Sequence, residues 1–228
     1  MMKERSSLHK VLTIAGSDSG GGAGIQADIK TITTLGGYAT TVITALTAQN
    51  TLGVQSILEV PASFVAQQID AIMTDIGTNA VKTGMLVNKN IVDVVSLKIK
   101  EYNIKCVVVD PVMTSKNEKR LLSADAVNAL TSQLFPLSFL VTPNIPEAER
   151  ISGLRIKSPS DAEKAAKLVH QLGPQNVLIK GGHAGKSWDM KNEGKAIDVL
   201  YDGNSFEYIG GEYIPTKNTH GTGCTYAS

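Results

Sequence analysis

Hydrophobic positions along this chain fall into short apolar runs, each closed by a polar or glycine-bearing signature and most followed by residues at helical spacing. Val11 to Ala15 is the first run. It passes into Gly16-Ser17-Asp18-Ser19-Gly20-Gly21-Gly22-Ala23-Gly24 and then Ile25 to Thr31, which predicts a buried strand, a glycine loop and a helix. A second strand, Ala39 to Thr47, ends in Ala48-Gln49-Asn50. After a strand at Val54 to Leu58, Pro61 opens a helix to Thr74 in which Phe64, Val65, Ile69, Ile72 and Met73 recur at helical spacing and form core. The alternation continues with a strand at Ala80 to Lys82 leading into Thr83-Gly84-Met85, and a helix at about Asn90 to Tyr102. Next come a strand at Cys106 to Val109 running into Asp110-Pro111-Val112-Met113 and a helix at about Ser123 to Leu134. Phe139 to Val141 runs into Thr142-Pro143-Asn144-Ile145-Pro146-Glu147. Ser160 to Leu172 is helical, and Val177 to Ile179 ends in Lys180-Gly181-Gly182.

This order predicts one α/β domain, residues 1–228, with a central, mostly parallel sheet. Ligands of such sheets bind beyond the carboxyl ends of the strands. Asp18, Asp28, Gln49, Lys82, Met85, Asp110, Asn144, Glu147 and Lys180 are therefore expected to converge on one edge. Ala196 to Tyr201 and Ser205 to Ile209 flank Asp202-Gly203-Asn204 and read as a hairpin. The polar stretch before it, His183 to Gly194, is expected to cover the site as a lid.

The densest candidate chemistry lies late, in Thr216-Lys217-Asn218-Thr219-His220-Gly221-Thr222-Gly223-Cys224-Thr225. Glycines let the backbone turn tightly and approach a ligand, and the residues after them read as the first turn of a helix. Amides at a helix start lack internal partners and sit at its positive end, so they suit a transferring phosphoryl group. A thiol placed there, Cys224, is expected to have a lowered pKa and to take a proton from an attacking hydroxyl. Taken alone, the same residues also read as a plain glycine turn capping a helix.

Composition narrows the classes. With 22 basic and 21 acidic residues, a net charge of +1 and 5% aromatic content, the chain has no electrostatic or stacking footprint for nucleic acid. Its apolar runs fall far short of the roughly 18 residues of a membrane span, and the run after Met1-Met2-Lys3-Glu4-Arg5 is too short for a secretory leader, so a cytoplasmic protein is expected. Cys106 opens an apolar strand and reads as a reduced core residue. His9, His170, His183 and His220 form no i, i+4 pair and no cluster with the cysteines, which argues against a transition-metal site. Two motif matches fail on inspection. Gly22-x-Gly24-x-x-Ala27 fits a loose dinucleotide fingerprint, but no acidic residue closes the strand at Ala39 to Thr47. Gly185-Lys186-Ser187 resembles the end of a phosphate loop, but the required earlier glycine is Lys180.

Together, Gly16 to Asp28, Ala48-Gln49-Asn50-Thr51, Lys82 to Met85, Asp110 to Met113, Thr142-Pro143-Asn144, Lys180-Gly181-Gly182-His183 and Thr216 to Thr225 form an ordered set. From about Val11 to Ser228 it resembles the hydroxymethylpyrimidine and phosphomethylpyrimidine kinases of thiamine biosynthesis, in the ribokinase-like superfamily. The resemblance implies a three-layer αβα fold with a small lid hairpin. It also implies transfer of the γ-phosphoryl group of ATP, with Mg2+, to a hydroxymethyl or phosphate oxygen on a methylaminopyrimidine, and a homodimer as the expected assembly. In the roles it implies, Gly221, Thr222 and Gly223 form an anion hole with Cys224 as base. Gly16, Asp28, Gln49, Met85 and Val112 line the pyrimidine pocket. Asp110 and Glu147 handle magnesium through oxygen ligands or water, while Asn144, Lys180, Thr219 and His220 face the nucleotide. Lysine and magnesium suit a reaction that needs positioning and charge neutralisation. Gln49 offers both a donor and an acceptor to an aminopyrimidine edge.

Two alternatives stay open: a pyridoxal or pyridoxine kinase of the same branch, and a dinucleotide-binding or regulatory module without phosphotransfer. More distant sugar kinases of the superfamily carry aspartate at the base position. Relatives of this kind continue through further helices, whereas Ser228 stands about five residues past Gly223, roughly 7–8 Å of helix. A protein ending there is expected to hold its anion hole poorly.

Overall fold

In a computed structural model of the chain, residues 8–114, 122–182, 188, 195–216 and 218–228 are described. The nine strands among them are β1 (Lys10–Asp18), β2 (Tyr38–Asn50), β3 (Gly53–Glu59), β4 (Ala80–Thr83), β5 (Val107–Val109), β6 (Leu140–Val141), β7 (Asn176–Ile179), β8 (Lys195–Tyr201) and β9 (Phe206–Glu212). They form one sheet in the order β3-β2-β1-β4-β5-β6-β7-β8-β9. The six strands from β2 to β7 in that order are parallel, and β3, β8 and β9 are added antiparallel at the edges.

The helices are α1 (Gly24–Thr34), α2 (Ala62–Met73), α3 (Lys89–Glu101), α4 (Ala124–Ala129), α5 (Ile145–Ser152), α6 (Pro159–His170) and α7 (Thr222–Ala227). The crossover through α1 runs along the sheet in the opposite direction from those through α2 to α6. Right-handed connections therefore place α1 on one face and the others on the opposite face, and α7 packs beside α1. The register agrees. Leu12, Val81 and Val107 align in one row and Ile14, Val109, Val141 and Val177 in the next, all buried toward the α2 to α6 layer. Between them, Thr13 and Lys82 point the other way, to Asp28 of α1.

Local chemistry fixes several helix boundaries. Asn88 caps α3 by accepting the Ile91 N–H at 3.0 Å, and Lys98 and Lys100 sit in its last turn where the helix dipole favours cations. Ser158 caps α6 with Pro159 at its first position. Pro61 is the cap of α2 rather than its first helical residue. The predicted helix from Ser123 to Leu134 is regular only to Ala129, then widens into a π turn and tightens through the 3-10 turn Phe135–Leu137 around Pro136. A helix that the strand pattern does not predict, α5, starts at Asn144 with a reciprocal capping box and ends at Gly153 in the left-handed region, φ 72°.

The hairpin expected at Ala196 to Ile209 is present as β8 and β9. β8 and β9 continue the central sheet through pairing with β7, so this hairpin is an edge of the sheet and not a separate flap. The hairpin that overhangs the carboxyl ends is β2–β3, whose long first strand pairs back on itself through Thr51 and Leu52. The lid expected at His183 to Gly194 lies outside the described residues except for Trp188, which is buried in the core. Among the described residues no helix is long and apolar enough to cross a membrane.

Candidate active site

The carboxyl ends of the parallel strands and the loop before α7 enclose one cavity of about 1220 Å³. Gly16, Gln49, Met85 and Val112 line it, as do Asp110, Asn144, Glu147, Lys180, Thr219, His220 and Gly221 to Cys224. Thus every site residue that the resemblance implies except Asp28 lines this cavity, while Lys82, also expected at this edge, is buried behind it. Asp28 is fully buried behind the same wall, where Lys82 Nζ donates to Oδ1 at 2.7 Å and the Thr13 hydroxyl donates to Oδ2. Ser228 Oγ adds a third bond to Oδ1 at 2.9 Å. The α1 face that carries Ile25 and Ile32 carries Asp28 with them, so its carboxylate meets the Lys82 ammonium in the core instead of a substrate.

One end of the cavity is strongly charged. Asp110, just past β5, accepts from Lys180 Nζ at 2.7 Å through Oδ1. Glu147 is held by the cap of α5, where its Oε2 accepts the Asn144 N–H at 2.9 Å and Asn144 Oδ1 accepts the Glu147 N–H at 3.0 Å. Burial and then the nearby Asp110 carboxylate push the Glu147 carboxyl up to about 7, against the pull of Lys180. Lys180 stays charged: burial works against its ammonium, but Asp110 and Glu147 raise its pKa above the usual lysine value.

The glycine-rich segment before α7 abuts this cluster. A Cβ at Gly223 would stand 3.6 Å from Lys180 Nζ and 4.0 Å from Asp110 Oδ2. Thr222 donates to the Thr219 carbonyl at 3.3 Å and Thr225 to the Gly221 carbonyl at 2.9 Å. Among the described residues no carbonyl takes the Gly223 or Cys224 N–H, so two amides are left to face the cavity beside Lys180. Gly221 is left-handed, φ 80°, and a Cβ there would lie 1.7 Å from the Gly22 carbonyl oxygen.

Cys224 corrects the expectation of an acidified thiol. Burial raises its pKa above the ordinary value; Lys82 lowers it, while Asp110 and Asp28 raise it further. Loss of hydration at the sulfur outweighs the short α7, so the resting state is a thiol.

At the other end, Gln49 projects from the overhanging part of β2. Its carbonyl oxygen Oε1 accepts from Thr47 Oγ1 at 3.1 Å, and its amide nitrogen, at the cavity surface, lies 3.5 Å from His220 Nε2. Met85 and Gly16 form the floor together: a Cβ on Gly16 would meet Met85 Cε at 2.9 Å, so glycine there makes room for the thioether. His220 is on this wall too, but its Nε2 bonds Asp18 Oδ2 at 2.8 Å rather than facing the charged cluster. The strand pattern puts Asp18 at the sheet edge without giving it a role. Its carboxylate takes the Gly20, Gly22 and Ala23 amides at 2.8, 3.0 and 2.8 Å. An aspartate followed at short range by glycines is the sequence signal for such a turn. With those amides engaged, the loop is not a dinucleotide pyrophosphate cradle.

The family profile described as Phosphomethylpyrimidine kinase matches residues 18–228. The chain is 52% identical over 218 residues to the thiamine biosynthesis bifunctional protein ThiED of Geobacter sulfurreducens, covering 96% of this chain but 43% of that protein. It is 48% identical to the hydroxymethylpyrimidine/phosphomethylpyrimidine kinase of Bacillus subtilis, covering 97% of this chain and 80% of the relative. Its fold matches the solved ADP complex of Bacillus subtilis pyridoxal kinase with a TM-score of 0.85 at 41% identity, covering 97% of this chain and 81% of the other. The chain therefore spans less than half the length of the bifunctional relative and most of the length of the single-function one.

Proposed function

Because the chain belongs to the phosphomethylpyrimidine kinase family, we propose that it transfers the γ-phosphoryl group of ATP to 4-amino-5-hydroxymethyl-2-methylpyrimidine and to its monophosphate, as thiamine biosynthesis requires. The observation that carries this reading is the meeting, on one cavity, of the unpaired Gly223 and Cys224 amides with the Asp110–Lys180 pair and with the Gln49 amide. Phosphoryl transfer asks for little covalent help and much positioning and charge stabilisation. The Gly223 and Cys224 amides receive the transferring group, and Lys180, whose Nζ would stand 3.6 Å from a Cβ on Gly223, neutralises its charge. Asn144 and Thr219 border the nucleotide phosphates.

The donor set suits a hard divalent cation. Two carboxylates, Asp110 and Glu147, sit close enough that one raises the pKa of the other, and a cation with oxygen ligands relieves that repulsion. Asp110 and Glu147 are the residues that would hold magnesium. Bound magnesium supplies positive charge to the phosphate oxygens.

Gly16, Met85 and Val112 provide the apolar walls of the acceptor pocket, and the Gln49 amide nitrogen donates to a ring nitrogen. Only in its minor thiolate form, which the Lys82 ammonium behind it favours, does Cys224 take the proton of the alcohol acceptor and become a thiol. A phosphate acceptor needs little such help, so there the thiol acts by position.

The likeness to a pyridoxal kinase structure favours one second reading, pyridoxal as acceptor. An ADP-release assay with ATP, magnesium and each of the pyrimidine alcohol, its monophosphate and pyridoxal separates the two. Greater kcat/KM for the pyrimidines supports the proposal, and ADP release with pyridoxal alone overturns it.

A further inference from the structure

Asp18 and His220 are 202 positions apart in the chain, yet their side chains meet at 2.8 Å with the carboxylate buried and the imidazole half-buried. We propose that this pair is a latch that positions the Gly221 to Cys224 loop for phosphoryl transfer, with Asp18 acting through His220 and touching neither substrate. The inference rests on the kinase reading above.

The carboxylate takes four hydrogen bonds. Oδ1 takes the Gly20 amide, and Oδ2 takes those of Gly22 and Ala23 together with His220 Nε2. A carboxylate has about four acceptor positions, so the four bonds, three of them crowded on Oδ2, devote most of Asp18 to joining two loops. Since Asp18 can only accept, Nε2 carries the proton, and the imidazole is held as a donor.

The surrounding backbone has been cleared for this contact. A Cβ on Gly22 would lie 2.5 Å from His220 Cδ2, and one on Gly221 would lie 1.7 Å from the Gly22 carbonyl oxygen. Ring and backbone thus dock on the same glycine, immediately before the amides assigned to the phosphoryl group. The hydrogen bonds, led by that to His220, keep the Asp18 pKa below its ordinary value although burial opposes them, which keeps the acceptor ionised at neutral pH. The glycine-rich loop is therefore a platform for the anion loop. Its amides serve Asp18 and not a phosphate.

The test uses the full chain with Asp18→Asn, His220→Ala, His220→Gln and the double variant Asp18→Asn/His220→Ala, in ADP-release kinetics and thermal unfolding. Misplacing reacting groups by about 1 Å costs about a hundredfold in rate, so kcat should fall by about that factor for both the alcohol and the monophosphate. KM for the pyrimidine should change far less than kcat, since His220 reaches the acceptor pocket only through its 3.5 Å contact with the Gln49 amide nitrogen. The double variant should be no slower than the slower single, because both remove one link. His220→Gln, which can restore an N–H donor, should recover much of the loss. Single variants that fold with kcat within about threefold of the parent, or losses that multiply in the double, overturn the latch. Should Asp18→Asn fail to fold, the His220 variants decide the matter by the same kinetic criteria. If the parent chain releases no ADP with any pyrimidine, the kinase reading fails instead. The latch is then judged by hydrogen exchange at Gly223 and Cys224, where faster exchange in His220→Ala supports it and unchanged exchange overturns it.

Discussion

Replacing Gly221 by alanine tests the anion loop at its most constrained atom. Gly221 has φ 80°, a region that costs an L residue about 1–2 kcal/mol. The added Cβ would stand 1.7 Å from the Gly22 carbonyl oxygen, whereas ordinary contact begins at 3.4 Å, so the loops must part by roughly the difference of 1.7 Å. Both partners are backbone, and neither can swing aside as a side chain could. The amides of Gly223 and Cys224 move with the loop. Loss of one anion-hole donor typically costs about 10²–10³ in kcat, and a shift above 1 Å about 10². The expected result in ADP-release kinetics is kcat reduced by at least about a hundredfold on both acceptors with the pyrimidine KM nearly unchanged, as for an interaction made only in the transition state. Thermal unfolding run alongside confirms that the variant is folded. A folded Gly221→Ala chain with kcat within about threefold of the parent refutes the reasoning, because the loop would then tolerate the displacement.

Cys224→Ala should slow phosphorylation of the alcohol more than of the monophosphate, and equal losses argue against proton removal by the thiol. Because burial raises that thiol, the parent rate on the alcohol should still be climbing at pH about 8.5, the ordinary thiol value, while the alanine variant should lack this rise. Lys82→Met leaves the Asp28 carboxylate buried without its cation and should cost about 3–5 kcal/mol in denaturant unfolding; the double variant Lys82→Met/Asp28→Leu should recover much of it. Glu147 binds its proton more tightly folded, at about 7 against 4.5, so its contribution to stability falls as pH rises from 4.5 through about 7. Glu147→Gln should flatten that part of the stability profile, and magnesium added at pH 8 should raise the melting temperature of the parent more than that of the variant. Gln49→Ala should raise the pyrimidine KM by up to about tenfold, the worth of one hydrogen bond, with little change in kcat.

What the sequence disclosed was mostly local. The strand and helix alternation was legible because apolar periodicity follows from which face each residue buries, and the parallel sheet followed from the alternation. The signature at each strand end brought most of the site into view for the same reason: carboxyl ends of parallel strands share an edge. Other features are encoded but masked by a stronger pattern beside them. Asn144 and Glu147 at N-cap and third helical position spell the capping box that starts α5, but the apolar run before them makes the segment look like a strand terminus. Ile25, Asp28 and Ile32 share one face of α1, which marks Asp28 as core; its partner Lys82, 54 residues away, is invisible to periodicity. The same holds for Asp18 and His220, paired across 202 residues. The Cys224 thiol departs from a local rule, since a helix start lowers a pKa only where desolvation does not exceed it.

The most direct test is a crystal structure of the chain with ADP, aluminium fluoride, magnesium and the pyrimidine alcohol, in which the fluoride species occupies the place of the transferring group. That species should lie against the Gly223 and Cys224 amides with Lys180 beside it and the pyrimidine on Gln49. A fluoride species bound elsewhere, with those amides unengaged, contradicts the account.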